Sequence, residues 1–564
     1  MQRSPKISIR EAIAASLLAI VVAAGMNLRL LADIDSVTPA ASADEYLQVW
    51  QVAWGGHALI TQPLAYYDSN AFWPNDASLT FSDALTGYAP LGILANDTRS
   101  AVIIYNLLFL LASSLPFIGA YLLARELGGH PASALVAGAA FAYAPFRLLH
   151  LGHLHVLSSG GIPLALFLLL RGYRRRSNPM VAAGWIVSAW QLSIGFAVGL
   201  QFVYLLATLV LGAFVLWLQR GHEWQALVVR GSAIGLGIFI AWALIQGSAY
   251  WGTLQAYPEA ARSIDEVRYY SPPPRALLAA PAQNPFWGPR TAKTRDSLPF
   301  SSEACLFPGV IVSMLALLGL TVGKISWRLK ILLLLLVSGS VVLSFGFAFE
   351  NGVFGYRWLY QFGPGWKGLR TPGRLATLTS LGLGLLASAA IERTRSSLAR
   401  KGAWLPYALS LVLAAGVILE GANSAKPGGF THPPGGTASA MVPQYHLPSA
   451  HFIDALYMMW SIDDNFPSMA NGYSGFLPSS LRHLRDQTVG FPDPKSIRVL
   501  QGYGVRSVIV HRSLAKGTPW EGAIDKAFED LGITRTINGD AAVYEIPVGP
   551  LRPSASGEES ASQD

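Results

Sequence analysis

The chain has 564 residues, 52% of them hydrophobic and only 13% charged, with a formal net charge of +8. Soluble domains carry about 25% charged residues, so this composition excludes an ordinary soluble enzyme and indicates a membrane protein. The basic residues lie in short loops between apolar segments, where orientation in a bilayer explains them better than nucleic-acid binding. The single cysteine, Cys305, excludes both an intrachain disulfide framework and a cysteine-based zinc cluster.

Taken in order, the apolar stretches read as about eleven spanning segments, most of them near the ~20 residues that a helix needs to cross the hydrocarbon core. They run over 11–32, 101–124, 131–148, 156–171, 180–197, 199–218, 231–250, 304–323, 329–348, 374–391 and 404–421. Arg3, Lys6 and Arg10 precede the first; "RGYRRR" (171–176) follows the fourth; Arg220 and Arg230 bracket the loop after the sixth. Lys324, Arg328 and Lys330 separate the eighth from the ninth, and Arg393, Arg395, Arg400 and Lys401 separate the tenth from the eleventh. All of these fall on one side if the N-terminus is cytoplasmic, whereas the loop 33–100 on the other side holds eight acids and one arginine. The first segment is read as a retained anchor, since its apolar run ends well before the "ASA" that resembles a cleavage site. The expected location is a bacterial cytoplasmic (inner) membrane, with the C-terminal part extracytoplasmic.

Between and after the spans lie four external pieces: 33–100, the Pro-rich 251–303, the Gly/aromatic/Arg loop 349–373, and a tail of ordinary soluble composition from 422. The domain expectation is a membrane module over 1–421, an extracytoplasmic domain over 422–550 and a disordered tail over 551–564. In the tail, "VRSVIVHR" (505–512) and "AAVYEIP" (541–547) read as strands, with a helical stretch around 520–531 between them, which predicts a small α/β or α+β domain.

No Walker-type loop, nucleophile elbow or H-E-x-x-H motif is present. The chemistry on offer sits in loops. "SADEYLQVWQVAW" (42–54) opens an amphipathic interfacial helix, with Leu47, Trp50 and Trp54 on one face and the acids Asp44 and Glu45 at its start. Asp44 reads either as an N-cap, with Glu45 favoured by the helix dipole, or as a general base for an attacking hydroxyl. Asp33 and Asp35 are further acids of the same loop. "GPGWKGLRTPGR" (363–374) supplies Lys367, Arg370 and Arg374 on the side where basic residues are disfavoured, which suits recognition of an anionic lipid phosphate. Arg262 and Arg268 are weaker candidates of the same kind. "HLGHLH" contributes His150, His153 and His155; with no acid nearby in the sequence, hydrogen bonding or substrate contact is expected there rather than metal binding.

Several stretches resemble the GT-C superfamily of polytopic glycosyltransferases. The acid pair of Asp44–Glu45–Tyr46 is similar to the acidic motif of the protein-mannosyltransferase and aminoarabinose-transferase branches. Segments 62–83, 146–155 ("FRLLHLGHLH"), 262–271, 306–320, 364–376 and 471–480 resemble uncharacterised bacterial members, including the YfhO-like group. The resemblance implies a polytopic helical fold and transfer of a sugar from a polyprenyl-phosphate-linked donor to a lipid, glycan or protein acceptor of the cell envelope. It implies a catalytic or acceptor-positioning role for Asp44, with Glu45 second and Asp35 a looser fit. It further implies donor-phosphate binding by Arg370 and Arg374, with Lys367 and Arg262 supporting them. Where the superfamily often carries a second acidic motif, this chain has Arg147, His153 and His155, expected to contact substrate; no metal ligands are assigned, and a divalent cation stays open. The competing readings are a transporter or flippase of lipid-linked glycans, and a non-catalytic envelope assembly protein.

Overall fold

Each apolar segment of the sequence is helical in the computed structural model, which describes residues 4–219, 228–432 and 440–548. Arg3, Arg220 and the tail 551–564 lie outside the described residues. Among the described residues, seven helices are long and apolar enough to cross a membrane: Ile9–Met26, Thr98–Glu126, Leu154–Arg175, Phe196–Gln219, Val229–Ala256, Trp327–Ser344 and Pro372–Arg395. Three shorter apolar helices accompany them, Pro131–Ala142, Val310–Val322 and Leu405–Glu420, together with the helix Asn178–Ile194. The protein is a multi-pass membrane protein.

The ends of these helices follow local chemistry. The first expected span is two helices: Ile9–Met26 stops at Asn27, whose side-chain amide donates back to the Ala23 carbonyl, and Leu28–Ala32 follows. The third stops at Ala142 rather than near 148, because Pro145 cannot continue the hydrogen-bond ladder; a 3-10 turn, Pro145–His150, takes its place. The fifth and sixth are separate helices divided at Gly195. Gly319 packs so closely on the helix Ala376–Lys401 that a Cβ there would lie 1.8 Å from the Leu386 carbonyl oxygen, the small-residue contact by which membrane helices approach one another. Glu420, at the end of the last of these helices, accepts from the amides of Val310 (3.0 Å) and Ile311 (2.8 Å) and from Trp287 Nε1 (3.0 Å), so it caps the start of Val310–Val322.

The chain divides into two units, one formed by Met1–Ala41, Asp83–Tyr88 and Ile103–Gly428, the other by Ser42–Ser82, Ala89–Val102 and Gly429–Asp564. Most of the loop expected to belong with the membrane module thus packs with the C-terminal residues. In the first unit, several basic residues stand in the last turns of helices rather than in solvated loops. The fully buried Glu126 carboxylate binds Arg171 (2.6 Å) and Arg174 (3.2 Å), and Arg125 binds Glu11 (2.5 Å).

In the second unit, strands Gln444–Leu447, Ser507–His511, Ala541–Glu545 and Thr534–Asn538 lie in that order in one sheet. The first pair is parallel and the other two are antiparallel. A parallel pair needs a long crossover, and helices Ile453–Trp460, Ser479–Gln487 and Pro494–Gly502 lie between its strands in the chain. The helix expected around 520–531 is a series of turns with a 3-10 turn at Glu529–Leu531, the run being interrupted by Gly522 and followed by Gly532 in the left-handed region. The helix foreseen after the first span is present as Ala43–Thr61. Leu47, Trp50 and Trp54 are buried as expected, and Gln48, Gln51 and Val52 are buried as well.

Residues 42–82 and 440–548 pack in one unit, so they must lie on one side of the membrane, which requires an even number of crossings between them. Cysteines at Ala65 and Ser513, both exposed, in a Cys305→Ser background, are expected to react alike with an impermeant thiol reagent in intact cells; opposite labelling would refute this topology. Glu126→Gln is expected to lower thermal stability in detergent by about 3–5 kcal/mol, the cost of breaking a buried ion pair, whereas Glu350→Gln, at an exposed residue, should have little effect.

Candidate active site

The chain order scatters the ionisable residues of the first unit, and the loops bring six of them together. "HLGHLH" fills the connection between helices Pro131–Ala142 and Gly161–Arg175. Glu303 lies on the short turn Ser301–Ala304, and Arg374 on the 3-10 turn that leads into Ala376–Lys401. Arg374 is buried, and one of its terminal nitrogens donates to Glu303 Oε1 at 3.0 Å while the other lies 3.2 Å from His155 Nε2. The same His155 nitrogen is 3.4 Å from Asp83 Oδ2. Asp83 in turn accepts through Oδ1 from the Phe196 and Ala197 amides, at the start of the helix Phe196–Gln219. On the other side of Glu303, the Nδ1 atoms of His150 and His153 approach to 3.3 Å, and each lies 3.9 Å from a carboxylate oxygen.

The electrostatics separate the two acids. Burial is the largest influence on the Glu303 carboxyl and raises it, but Arg374, His150 and His153 together outweigh it, so the group is held well below the usual carboxylate range. Burial also raises Asp83, and there Arg374 and the two amides offset it only in part, so the net shift is upward. Burial pushes His150 well below the ordinary histidine range. Glu303 is therefore the fixed anion of the cluster, and Asp83 the carboxyl that holds its proton more readily.

A second group forms where 262–270 meets 366–370. Arg262 binds Glu266 at 3.0 Å, and its amide donates to the Lys367 carbonyl. Arg370 lies 4.0 Å from Glu266 and over the Tyr270 ring at 5.1 Å, with its side chain 36% exposed. Three of the five basic residues singled out for phosphate are thus neighbours; Arg268 pairs with Asp265 at 2.5 Å, and Arg374 belongs to the buried cluster. Burial lowers the Arg262 guanidinium from its ordinary value, with Glu266 opposing.

The remaining candidates stand elsewhere. Arg147 is buried, and its guanidinium donates to Ser159 Oγ (2.9 Å) and to the carbonyls of Ala112 (3.0 Å) and Leu157 (2.9 Å), so it ties three stretches of chain together. Asp35 is half-buried in the turn after Leu28–Ala32, where Asn106 donates to the Ile34 and Val37 carbonyls on either side. Asp44 and Glu45 belong to the second unit. The cap of their helix is Ser42 and not Asp44: Glu45 Oε2 accepts from the Ser42 amide (2.9 Å), and Ser42 Oγ from the Glu45 amide (3.4 Å). The motif is the S-x-x-E capping box. Asp44 Oδ1 accepts from the Tyr473 hydroxyl at 2.9 Å.

The sequence reading did not single out Asp83 and Glu303. Each is a lone acid at the edge of an apolar stretch, Asp83 ending "LTFSD" and Glu303 just before Cys305; that position was the available signal.

No protein-family model matches the sequence, and no curated protein matches it. Among solved structures, the chain is similar to the arabinofuranosyltransferase AftD from Mycobacteria, with a TM-score of 0.57 at 15% identity over 97% of this chain and 42% of AftD. The chain thus spans less than half the length of that protein. It also aligns with the archaeal oligosaccharyltransferase AglB of Archaeoglobus fulgidus (TM-score 0.48, 13% identity, 89% of this chain and 69% of AglB). A further match is ArnT of Cupriavidus metallidurans (TM-score 0.33, 13% identity, 96% of this chain and 99% of ArnT). The AftD likeness extends over nearly the whole chain, and the fold of this protein is the GT-C fold.

Proposed function

We propose that this protein is a membrane glycosyltransferase that moves a sugar from a polyprenyl-phosphate-linked donor to a cell-envelope acceptor on the extracytoplasmic face of the membrane. The observation that carries this reading is the gathering of Arg262, Lys367 and Arg370 on adjoining loops of a GT-C fold. Lys367 is exposed and Arg370 is partly so, so a lipid phosphate at headgroup depth has access to both. Arg370 is aimed by the Tyr270 ring and only loosely held by Glu266. A guanidinium so placed offers two parallel N–H donors to a phosphate. It would stabilise the charge that develops on the leaving phosphate as the glycosidic bond breaks.

The general base in this reading is Asp44. Glu45 is committed to the capping box, and the Tyr473 hydroxyl orients the Asp44 carboxylate. Asp44 would accept the proton of the acceptor hydroxyl as its oxygen attacks the anomeric carbon, with Asp35 the second candidate. Arg374, with Glu303 and His155, acts as the rigid core of the loops that carry Arg370; Arg147 fixes the chain leading to His153 and His155. AglB has been solved in complex with an inhibitory peptide and a dolichol-phosphate, and ArnT bound to undecaprenyl phosphate; a polyprenyl-phosphate-linked donor for this chain is of the same chemical kind.

Asp44→Asn is expected to abolish turnover while the purified protein keeps its thermal midpoint. Glu45→Gln is expected to lose about 0.5–2 kcal/mol of stability through the weakened cap and to retain measurable turnover. Wild-type rates for Asp44→Asn would remove it as base; a dead Asp35→Asn beside an active Asp44→Asn would move the role there. With the acceptor held fixed, Arg370→Lys should raise the donor concentration needed for half-maximal rate about ten-fold, because lysine keeps the charge but not the paired donors. Unchanged donor dependence would mean that Arg370 only snorkels to lipid headgroups.

A further inference from the structure

We infer that His150, His153 and Glu303 form a site for a divalent transition-metal ion of the zinc class, with one coordination position left open. The ligand atoms, His150 Nδ1, His153 Nδ1 and a Glu303 carboxylate oxygen, all lie within 4.8 Å of one another. The two ring nitrogens are 3.3 Å apart, and each is 3.9 Å from a carboxylate oxygen. The 3.9 Å contacts run from His150 Nδ1 to Oε2 and from His153 Nδ1 to Oε1, and separations of this size are within the span of two donors held by one ion at about 2.0–2.2 Å each. Two imidazoles and one carboxylate are also a donor set that zinc takes where it keeps a fourth position for water or substrate.

An independent observation points to the same ion. Glu303 Oε1 receives Arg374, but Glu303 Oε2 is buried and accepts no hydrogen bond among the described residues. A buried carboxylate oxygen without a donor is costly, and it lies on the side of the carboxylate that faces His150 Nδ1. A cation between the rings satisfies it. Arg374 then takes the place of the outer partner that a ligating carboxylate commonly has, fixing its orientation through the other oxygen. Both Nδ1 atoms must offer lone pairs to the ion, which places the ring protons on Nε2. Without a metal, the 3.3 Å approach is a hydrogen bond between the two rings, and that is the alternative to be tested.

The inference rests on ligand geometry in the first unit and not on the glycosyl-transfer reading, so metal binding is measured directly rather than through turnover. The protein, purified in detergent and stripped with chelator, is titrated with Co2+ and with Zn2+. One equivalent of tightly bound metal is expected, with the visible d–d absorption of tetrahedral or five-coordinate cobalt. His153→Ala leaves the Glu303–Arg374 pair in place and is expected to weaken binding by about 100-fold or more, since a lost ligand costs at least as much as a lost outer partner. The His150→Ala/His153→Ala double variant should bind no metal at this site while keeping the wild-type thermal midpoint without added metal. Failure of the wild-type protein to bind a stoichiometric ion would overturn the site, as would cobalt spectra and affinity in the double variant equal to the wild type. Glycosyl transfer without metal binding would refute this inference and leave the proposed function standing.

Discussion

The contact on which the site depends is the pair between Arg374 and Glu303, 3.0 Å apart and both buried. A charge taken out of water is tolerated only with a close opposite charge and further hydrogen bonds. Arg374 meets that condition by reaching Glu303 and His155 together. Since these three residues come from three separate loops, the pair fixes the loops against one another. Asp83 extends the chain of contacts to the start of Phe196–Gln219. Removing either partner would leave the other as an uncompensated buried ion, so the arrangement is all or none in character.

Around this core, the charged residues of the apolar helices stand near their ends, as in the ion pair of Glu126 with Arg171, and the candidate chemistry is carried by the connections. The helices pack through small residues and close backbone approaches, and Glu420 supplies the amides of Val310 and Ile311 with an acceptor that a helix start in an apolar setting otherwise lacks. The loops can then carry two kinds of cluster. One is buried and rigid, centred on Arg374; the other is more open, with Arg370 laid over Tyr270. Rigid support under an accessible cation is what recognition of a phosphate requires, because the donors are then oriented before the ligand arrives.

Much of the fold was legible in the sequence because helix-length apolar runs are the strongest signal a chain carries. The break at Asn27 and the early stop at Ala142 were not, since each depends on a local hydrogen bond or on Pro145 acting within an apolar run. The strands 507–511 and 541–545 were visible as apolar runs with β-branched or aromatic residues, but Thr534–Asn538, polar at four of its five positions, was hidden until its pairing partner was known. The site was read less completely. Asp44 and Glu45 stood out as neighbours, and the capping role of Ser42 followed a pattern present in "SADE" but assigned to the wrong residue. Arg262, Lys367 and Arg370 proved to be neighbours. Glu303 was missed, and with it the meaning of His150 and His153, because the acid that faces the histidines lies far away in the chain and proximity in sequence was the sole guide. Arg147 looked like a substrate contact for its place beside the histidines, whereas its donors are engaged by Ser159 and two carbonyls.

The central claim is that the loops of this GT-C fold carry out sugar transfer from a lipid phosphate. It is tested most directly by incubating the purified protein with a panel of polyprenyl-phosphate-linked sugars and envelope glycan acceptors, and measuring released polyprenyl phosphate together with glycosylated product. The account predicts that both appear in equal amounts for one sugar of the panel. Translocation of an intact lipid-linked glycan across proteoliposome membranes, with no polyprenyl phosphate released from any donor, would contradict it.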